Sequence, residues 1–400
     1  MIAKFTKCTL NGTIAAPPSK SMAHRYLIGA ALSKQNCVIS GMDYNEDVLA
    51  TIDCLKALGC EIKTENDTIY INPQRFMTAE NPFLHCRESG STLRFFIPLC
   101  LTLGKEVTLT GSKRLFERPL DVYQKICKEN NFIFTKNDDK LTLCGNLTSG
   151  VYEVDGSISS QFITGLIFAF VHLGENAEIK ILPPFESRSY INLTIEALTQ
   201  FGAKVKFTDD FTITIEKSTL KAFCGRVEGD YSNAAFLDAF NFLGSDIKVQ
   251  NLNENSLQGD KIYLDYFKKI ENGTPTLDIT DCPDLAPVLI ALASLKNGAR
   301  LTGTNRLKTK ESDRGNAMHE ELGKLGGGLL FGDNIITIPK QALHTGGPRL
   351  YGHNDHRIVM ALSLILSQLG GEIDSAEAVK KSYPNFFTDI KSLKAKVELV

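Results

Sequence analysis

Basic residues stand at the predicted beginnings of several helices. In the stretch AAPPSKSMAHRYLIGAAL (15–32), apolar residues recur at the spacing of an amphipathic helix, and two prolines place its start near Ser21, with Ser19 or Ser21 as the cap. Lys20 and Arg25 then lie near the positive end of the helix dipole, where acidic residues are preferred. A bound anion would supply the missing negative charge, because the free amide groups of a helix start attract anions. The stretch therefore predicts a phosphate or carboxylate site.

The same arrangement recurs at three other predicted helix starts. Arg94 lies in the first turn after SGST, Arg314 follows KESD, and Arg357 follows NDH. One such arginine is most often a surface residue paired with a nearby acid, but four helix starts of this kind favour convergence on one polyanionic ligand. Arginine suits that role because its planar guanidinium can hold a phosphate or carboxylate through two hydrogen bonds.

Four further stretches have both a structural and a chemical interpretation. SSQF (159–162) would cap a helix or present two hydroxyls to a ligand. HNDHR (353–357) has two histidines and an aspartate, which indicate a metal only weakly without a third spaced ligand. Asp284 would be an ordinary acidic residue at a helix start, unless it faces cations, where it could accept a substrate proton. KTKESDR (308–314) would be a solvated charged surface or part of the same site.

The elements that carry these residues follow a repeated pattern. Three stretches each read as a helix end, a glycine, a strand, a polar turn and a second strand: LKALGCEIKTENDTIYI (55–71), LTQFGAKVKFTDDFTITI (198–215) and LGKLGGGLLFGDNIITI (322–338). Neighbouring helices run from Ser, Gly, Asn or Asp into segments that are apolar on nearly all sides, which is typical of core helices covered by sheet. The pattern predicts an α/β fold of repeated helix-plus-hairpin units.

Composition narrows the possible function classes. The length of 400 residues predicts two domains, and 44 Lys and Arg against 46 Asp and Glu give a net charge of −2, which argues against a dedicated nucleic-acid binder. The ten cysteines include no Cys-x-x-Cys, and neither an apolar signal segment nor a membrane-length apolar run is present, so we expect reduced thiols and a cytoplasmic protein. The motifs of nucleotide P-loops, Rossmann turns and hydrolase nucleophile elbows are absent.

Nine short motifs occur in a fixed order along residues 12 to 384: PPSKSMAHR, SGSTLR, ERP, SSQF, VEGDYS, PDLAP, KESDR, NDHR and KSYP. In this order they resemble the family of 5-enolpyruvylshikimate-3-phosphate (EPSP) synthases, the enolpyruvyl transferases of the shikimate pathway. The resemblance implies an α/β fold of the inside-out barrel type with two similar domains, each of three repeated helix-plus-sheet units, and an active site in the cleft between the domains. Carried onto this chain, one domain would comprise residues 1–17 and 228–400, and the other residues 18–227.

The family transfers the enolpyruvyl group of phosphoenolpyruvate to the 5-hydroxyl of shikimate 3-phosphate and releases phosphate, by addition and elimination. The resemblance implies that Asp284 takes the hydroxyl proton and that Glu311 or Lys20 protonates C3 of the enol. The residues expected to contact shikimate 3-phosphate are Lys20, Ser21, Arg25, Ser159, Ser160, Gln161, Ser187, Tyr190, Asp284 and Lys310. The residues expected to hold phosphoenolpyruvate are Lys20, Gly90, Arg94, Arg118, Gln161, Arg314, Arg357 and Lys381. Both substrates are polyanions, which would explain the basic helix starts.

The resemblance also implies small-molecule substrates, no metal and no organic cofactor, no nucleic-acid or membrane partner, and a monomer that acts in the synthesis of aromatic amino acids. Two residues depart from the family pattern: Glu88 stands where asparagine is usual, and Lys308 stands where arginine is common. Gly90 is retained, so the family's inhibitor glyphosate could fit beside shikimate 3-phosphate. We expect the two departures to alter substrate affinity and inhibitor response more than the reaction class.

Three other interpretations stay open. UDP-N-acetylglucosamine enolpyruvyl transferases carry a cysteine in a GGC segment before an Arg-Pro pair, whereas the matching stretch here is GSKRLFERP (111–119). An RNA-processing relative, such as an RNA 3′-phosphate cyclase, would have a basic surface, and the net charge of −2 argues against one. A non-catalytic relative would have lost Asp284, Glu311 or Lys20, and all three are present.

Overall fold

Helices and short strands alternate along the whole chain. The structure, a computed structural model, describes residues 1–400. Its thirteen α-helices are α1 (Lys20–Ser33), α2 (Glu46–Ala57), α3 (Gly90–Leu101), α4 (Lys113–Glu117), α5 (Asp121–Glu129), α6 (Ser160–Leu173), α7 (Arg188–Gln200), α8 (Tyr231–Ala239), α9 (Tyr263–Asn272), α10 (Ala286–Leu295), α11 (Arg314–Gly323), α12 (His356–Leu369) and α13 (Phe386–Ser392). None of them combines the length and the hydropathy that a membrane span requires.

The strands are short, each of two to six residues. They are β1 (Ala3–Phe5), β2 (Asn11–Ala15), β3 (Cys37–Ser40), β4 (Glu61–Glu65), β5 (Thr68–Asn72), β6 (Phe83–His85), β7 (Val107–Thr110), β8 (Ile133–Lys136), β9 (Lys140–Cys144), β10 (Val151–Asp155), β11 (Ala177–Leu182), β12 (Lys204–Phe207), β13 (Thr212–Glu216), β14 (Cys224–Arg226), β15 (Asp246–Gln250), β16 (Thr276–Asp278), β17 (Ala299–Thr302), β18 (Leu330–Gly332), β19 (Ile335–Ile338), β20 (Leu350–Tyr351), β21 (Gly371–Asp374) and β22 (Val397–Leu399).

The three predicted helix–glycine–hairpin stretches are confirmed. Helix α2 leads through Gly59 into the β4–β5 hairpin, α7 leads through Gly202 into β12–β13, and α11 leads through Gly326 into β18–β19. The φ angles of these glycines are 105°, 86° and 82°, in the left-handed region that lets a glycine end a helix and turn the chain into a strand. A fourth hairpin, β8–β9, follows α5, and there Asn131 takes the left-handed position with φ 57°.

Five four-stranded sheets share one topology, in which a parallel pair of strands lies beside an antiparallel hairpin or its equivalent. The strand orders are β14-β3-β5-β4, β6-β7-β9-β8, β10-β11-β13-β12, β16-β17-β19-β18 and β20-β21-β1-β22. The sixth sheet contains only the parallel strands β2 and β15. The predicted repeated helix-plus-sheet unit is therefore present, with one copy reduced to two strands.

Contacts between Cα atoms divide the chain into two compact units. We call Pro18–Glu228 the continuous unit, and Met1–Pro17 with Gly229–Val400 the discontinuous unit. Each contains three of the six sheets and its own hydrophobic core. As predicted, the core helices are buried on nearly all sides: α3 packs against α6 in the continuous unit, and α10 packs against α12 in the discontinuous unit. All ten cysteines are free thiols, and seven of them are buried.

Candidate functional site

Five helices that begin near candidate residues are capped by a serine or aspartate side chain. Each capping oxygen accepts a hydrogen bond from a backbone amide of the first turn, over 2.9 to 3.4 Å. The caps are Ser19 before α1, Ser89 before α3, Ser159 before α6, Asp313 before α11 and Asp355 before α12. None of the five helices has an acidic residue in its first turn. The predicted deficit of negative charge is present at the serine-capped starts of α1, α3 and α6, whereas Asp313 and Asp355 place a carboxylate at the starts of α11 and α12.

The four arginines do not all lie in a first turn. Arg314 and Arg357 are the first and second residues of α11 and α12. Arg25 and Arg94 lie in the second turn of α1 and α3, so the prediction that Arg94 lies in the first turn is wrong. Helical side chains lean toward the N-terminus, and the Arg25 guanidinium accordingly reaches back to donate to the carbonyl oxygen of Ser21, over 2.7 Å.

In the continuous unit, Arg25 is a buried connector between helices. Its Nη2 donates to the carbonyl oxygen of Tyr190 over 2.8 Å, and its Nε donates to Thr194 Oγ1 over 2.9 Å. The guanidinium carbon lies 5.7 Å from the centre of the Phe95 ring. Burial lowers the pKa of Arg25 to about 10, so the side chain stays charged at neutral pH. Arg25 thus brings the start of α1 to the start of α7.

Arg94 and Gln161 form a second contact in the continuous unit. Arg94 Nη1 donates to Gln161 Oε1 over 2.8 Å, and Gln161 Nε2 donates to Ser91 Oγ over 3.0 Å. The second terminal nitrogen of Arg94 donates to the carbonyl oxygen of Pro119 over 3.0 Å. These bonds join the start of α3 to the start of α6, so Arg94, Gln161 and the Ser159 cap are brought together.

Gly90 and Arg118 approach each other closely at the start of α3. A Cβ atom added to Gly90 would lie 2.4 Å from Arg118 Nη1 and 2.8 Å from its guanidinium carbon. A larger residue at position 90 would displace this guanidinium, and Arg118 is 7% exposed. Nearby on α1, Lys20 Nζ donates to Asp47 Oδ2 over 2.8 Å, and both side chains are largely buried.

The remaining candidates of the continuous unit lie at two helix starts. Ser160 is the buried first residue of α6, directly after the capping Ser159. Ser187 precedes α7, is fully buried and has φ 58°, a left-handed conformation that is uncommon for a residue other than glycine. The Tyr190 backbone carbonyl accepts from Arg25, so Ser187 and Tyr190 lie on the turn that Arg25 fastens.

In the discontinuous unit, Asp284 lies among three cations. It belongs to the turn Pro283–Leu285 that leads into α10. Its Oδ1 accepts from Arg314 Nη1 over 2.7 Å and from Lys310 Nζ over 3.1 Å, and its Oδ2 accepts from Arg357 Nη2 over 3.2 Å. Burial would raise the pKa of Asp284, but Arg357, Lys310 and Arg314 hold it well below its usual range. Asp284 therefore faces cations, as its chemical interpretation required.

Arg314 is the centre of this cluster. Its side chain is 1% exposed, and its three nitrogens donate to three carboxylates: Nη1 to Asp284, Nη2 to Glu311 Oε2 over 2.8 Å, and Nε to Asp355 Oδ2 over 2.9 Å. Burial would lower its pKa, but Asp355, Glu311 and Asp284 together raise it. The interpretation of KTKESDR as a solvated surface is wrong for Lys310, Glu311 and Arg314, which are largely buried.

Two further cations border the cluster. Burial lowers the pKa of Lys310 to about 8, although its neighbour Asp284 acts in the opposite direction. Lys381 lies at the end of the turn Ala376–Lys381, and its Nζ donates to the carbonyl oxygen of Asn354 over 2.6 Å. Asn354 directly precedes Asp355, the cap of α12, so Lys381 reaches the same helix start as Arg357.

Sequence reasoning missed several acidic residues of these clusters. Asp355 was considered only as a metal ligand, yet it caps α12 and also accepts from Arg314 and from Ser312 Oγ. Asp260 is 5% exposed, and burial together with the nearby Asp284 raises its pKa to about 7. Asp47, the partner of Lys20, was not singled out. The excess of basic residues at the helix starts was the signal that could have prompted a search for such acids.

The two histidines of HNDHR do not form a pair. The Nε2 atom of His353 lies 2.9 Å from Glu321 Oε1, and His356 Nδ1 lies 3.9 Å from Asp355 Oδ1. Glu320, Glu321 and His353 have side-chain ligand atoms within 4.8 Å of one another. The two oxygens of Glu321, however, each accept from Lys324 Nζ over 2.8 Å. The arrangement is that of an ion-paired buried carboxylate.

Known proteins are similar to this chain over nearly its whole length. The family model described as EPSP synthase (3-phosphoshikimate 1-carboxyvinyltransferase) matches residues 6–390. A 3-phosphoshikimate 1-carboxyvinyltransferase from Clostridium kluyveri is 39% identical, over 97% of this chain and 96% of its own length. A protein of the same name from Clostridioides difficile is 34% identical, over 99% of this chain and 98% of its own length.

Solved structures share the fold. An EPSP synthase from Acinetobacter baumannii matches with a TM-score of 0.78 at 20% identity, over 100% of this chain and 99% of its own. The enolpyruvyl transferase NikO from Streptomyces tendae matches with a TM-score of 0.76 at 12% identity, over 99% of this chain and 98% of its own. At these identities the likeness shows the fold alone, and the predicted fold class is confirmed.

Proposed function

The chain belongs to the EPSP synthase family, as its motifs predicted, and we propose that it transfers the enolpyruvyl group of phosphoenolpyruvate to the 5-hydroxyl of shikimate 3-phosphate with release of phosphate. The observation that carries this proposal is the contact of Asp284 with Lys310, Arg314 and Arg357. A carboxylate among cations can accept a proton, and the cations beside it can bind the anionic groups of a substrate.

The low pKa of Asp284 makes it a weak base while the three cations face it. A substrate phosphate or carboxylate that pairs with the same cations weakens their field at Asp284. Its pKa then rises toward the range in which a carboxylate takes a proton from a hydroxyl group. The cluster thus couples the binding of anionic substrates to the activation of its own base.

Addition forms a bond between the 5-hydroxyl oxygen and C2 of phosphoenolpyruvate. The hydroxyl proton passes to Asp284, and C3 takes a proton from Glu311 or Lys20. In the elimination, C3 returns its proton to the same group, the bond between C2 and the phosphate oxygen breaks, and Asp284 returns its proton to the departing phosphate. The double bond between C2 and C3 forms again, so the products are the enolpyruvyl ether and inorganic phosphate.

The substrate contacts of this proposal fall into two sets. Shikimate 3-phosphate is held by Lys20, Ser21, Arg25, Ser159, Ser160, Gln161, Ser187, Tyr190, Asp284 and Lys310. Phosphoenolpyruvate is held by Lys20, Gly90, Arg94, Arg118, Gln161, Arg314, Arg357 and Lys381. The links Arg94–Gln161 and Arg25–Tyr190 support these sets, because each joins two members of one set that are distant in sequence. The link Arg314–Asp284 joins a member of one set to a member of the other.

The proposal extends to the whole chain. We take the continuous and discontinuous units as the two domains that the resemblance implied; the expected boundary at 227/228 lies one residue before the end of the continuous unit at Glu228. The protein acts on small molecules as a cytoplasmic monomer, without nucleic acid, membrane, metal or organic cofactor. Ten free thiols support a reducing compartment. Cations already present around Asp284 supply the charge stabilisation for which other enzymes use a metal.

Phosphate release from phosphoenolpyruvate tests the proposal. The purified protein is assayed with phosphoenolpyruvate alone, with added shikimate 3-phosphate, and with added UDP-N-acetylglucosamine as the matched acceptor control. We expect release only with shikimate 3-phosphate. Release only with the sugar nucleotide would assign the chain to the other enolpyruvyl transfer, and release with neither acceptor would contradict the proposed reaction.

A further inference from the structure

The segment that leads into α12 has an unusual backbone. His353 and Asn354 are consecutive residues with φ of 49° and 51°; histidine and asparagine adopt this left-handed conformation more often than most residues other than glycine, but two in succession are unusual. Directly after them, Asp355 caps α12, and Arg357 then reaches Asp284. The placement of Arg357 therefore depends on a turn whose conformation must be imposed by its surroundings.

Glu321, near the end of α11, contacts this segment, whose backbone is also held by the bond from the Asp355 amide to the Gly352 carbonyl oxygen and by the bond from Lys381 to Asn354. Its side chain is 1% exposed. Its Oε2 accepts from the backbone amide of Tyr351 over 2.8 Å, and its Oε1 lies 2.9 Å from His353 Nε2. Lys324 Nζ contacts both oxygens over 2.8 Å and keeps the carboxylate charged. Burial would raise the pKa of Glu321, but the bonds from His353, Lys324 and Tyr351 lower it.

Helix α11 holds the segment at two points. Arg314, its first residue, donates to Asp355, and Glu321 binds the backbone of Tyr351 and the ring of His353. Arg314 and Glu321 are seven residues apart, which is two helical turns and places both on one face. The segment between the two attachments contains the two left-handed residues.

We propose that Glu321 is a positioning residue for Arg357, and thereby for the affinity of the enzyme for phosphoenolpyruvate. The inference rests on the proposed function, in which Arg357 holds phosphoenolpyruvate. Glu321 touches no substrate, and it acts by fixing the turn at His353 and Asn354. Without this attachment the turn relaxes, and the guanidinium of Arg357 leaves the position in which it faces the anion.

The test compares Glu321→Gln with Glu320→Gln. Glu320 is the adjacent residue on the same helix; its side chain is 61% exposed and its Oε2 lies 3.8 Å from His353 Nε2, beyond hydrogen-bond distance, so it is the matched control for an exposed carboxylate beside the same ring. We expect Glu321→Gln to raise the KM for phosphoenolpyruvate about tenfold, with the KM for shikimate 3-phosphate within about twofold of wild type. Glu320→Gln should change neither KM. Loss of folded protein alone would lower kcat and leave both KM values unchanged.

A second variant keeps the proposal testable if Glu321→Gln does not fold. His353→Asn retains a residue that tolerates the left-handed conformation and removes the ring that contacts Glu321. Like Glu321→Gln, it should raise the KM for phosphoenolpyruvate. Equal KM values for wild type and the two variants would overturn the proposal.

Hydrogen exchange of the amides in 351–357 separates this inference from the proposed function. The amide of Arg357 donates to Asp355 and that of Tyr351 donates to Glu321, so both should exchange faster in Glu321→Gln than in Glu320→Gln. Unchanged exchange would contradict the positioning role, whatever the reaction. Absence of turnover in the wild-type protein would contradict the proposed function alone.

Discussion

Arg314 Nη1 donates to Asp284 Oδ1 over 2.7 Å from a side chain that is only 1% exposed. The candidate base and its cation are therefore part of one buried structure, which also includes the carboxylate of Asp355. A buried charge network of this kind is stable only while each charge keeps its partners. Substrate binding must then act by sharing these partners.

The first prediction concerns pH. The pKa of Lys310 is about 8, so the side chain loses its charge as pH rises through that value. Because a neutral amine no longer attracts phosphate, kcat/KM for shikimate 3-phosphate should fall about tenfold per pH unit above 8. Steady-state kinetics from pH 6.5 to 9.5 measure this limb. In Lys310→Arg the charge persists at high pH, and the limb should disappear. A decrease in kcat/KM above pH 8 that persists in Lys310→Arg would show that another group titrates there.

The second prediction concerns Gly90. The added methyl group of Gly90→Ala would lie 2.4 Å from Arg118 Nη1, so the guanidinium must move. We expect the KM for phosphoenolpyruvate to rise about tenfold, because a charge-assisted hydrogen bond contributes roughly 1.5–3 kcal/mol. Gly323→Ala is the matched control, since an added Cβ there meets nothing within 4 Å. Equal KM values for the two variants would show that Arg118 does not hold phosphoenolpyruvate.

The third prediction concerns Arg25, which is structural as well as a proposed contact of shikimate 3-phosphate. Arg25→Ala removes the bonds to Ser21, Tyr190 and Thr194, so the free energy of unfolding should fall by at least about 2 kcal/mol. Arg114→Ala, which removes an exposed ion pair, should cost less than about 0.5 kcal/mol. Denaturant titration with calorimetric binding of shikimate 3-phosphate measures both roles. Unchanged stability and unchanged affinity would refute them.

The fourth prediction concerns Asp260, whose pKa is raised to about 7 by burial and by Asp284. Because an unfolded aspartate ionises near pH 4, the folded protein binds the additional proton between about pH 4 and 7, and this carboxyl costs stability as pH rises through that window. Asp260→Asn cannot ionise. Its stability relative to wild type should therefore be greater at pH 8 than at pH 5, by roughly 2–4 kcal/mol. A difference that is independent of pH would contradict the shifted pKa.

The sequence predicted the elements whose signals are local. The caps at Ser19 and Ser159 and the glycine turns at Gly59, Gly202 and Gly326 depend on residues a few positions away, and all are present. The hairpin after α5 was harder to recognise, because Asn131 replaces the glycine. Its left-handed turn depends on an asparagine, a residue that is also common in turns and loops of other kinds.

The charge network could not be read from local spacing. Asp355 and Arg314 are 41 positions apart, and only the folded chain brings them within 2.9 Å. The sequence indicated that basic helix starts need a negative charge, and it assigned that charge to a ligand. The structure supplies part of it from Asp284 and Asp355, which are protein carboxylates from other segments. Burial, which sets the pKa values of Lys310 and Asp260, is likewise a property of the folded chain.

The most direct test of the account is a phosphorus NMR measurement of the products formed from phosphoenolpyruvate and shikimate 3-phosphate. The account predicts inorganic phosphate and a new phosphorylated enolpyruvyl ether in equal amounts. In Asp284→Asn both should form at least about a hundredfold more slowly, and Asp281→Asn, at a nearby exposed position, should retain the wild-type rate. Phosphate accompanied by pyruvate and unchanged shikimate 3-phosphate, or full activity of Asp284→Asn, would contradict it.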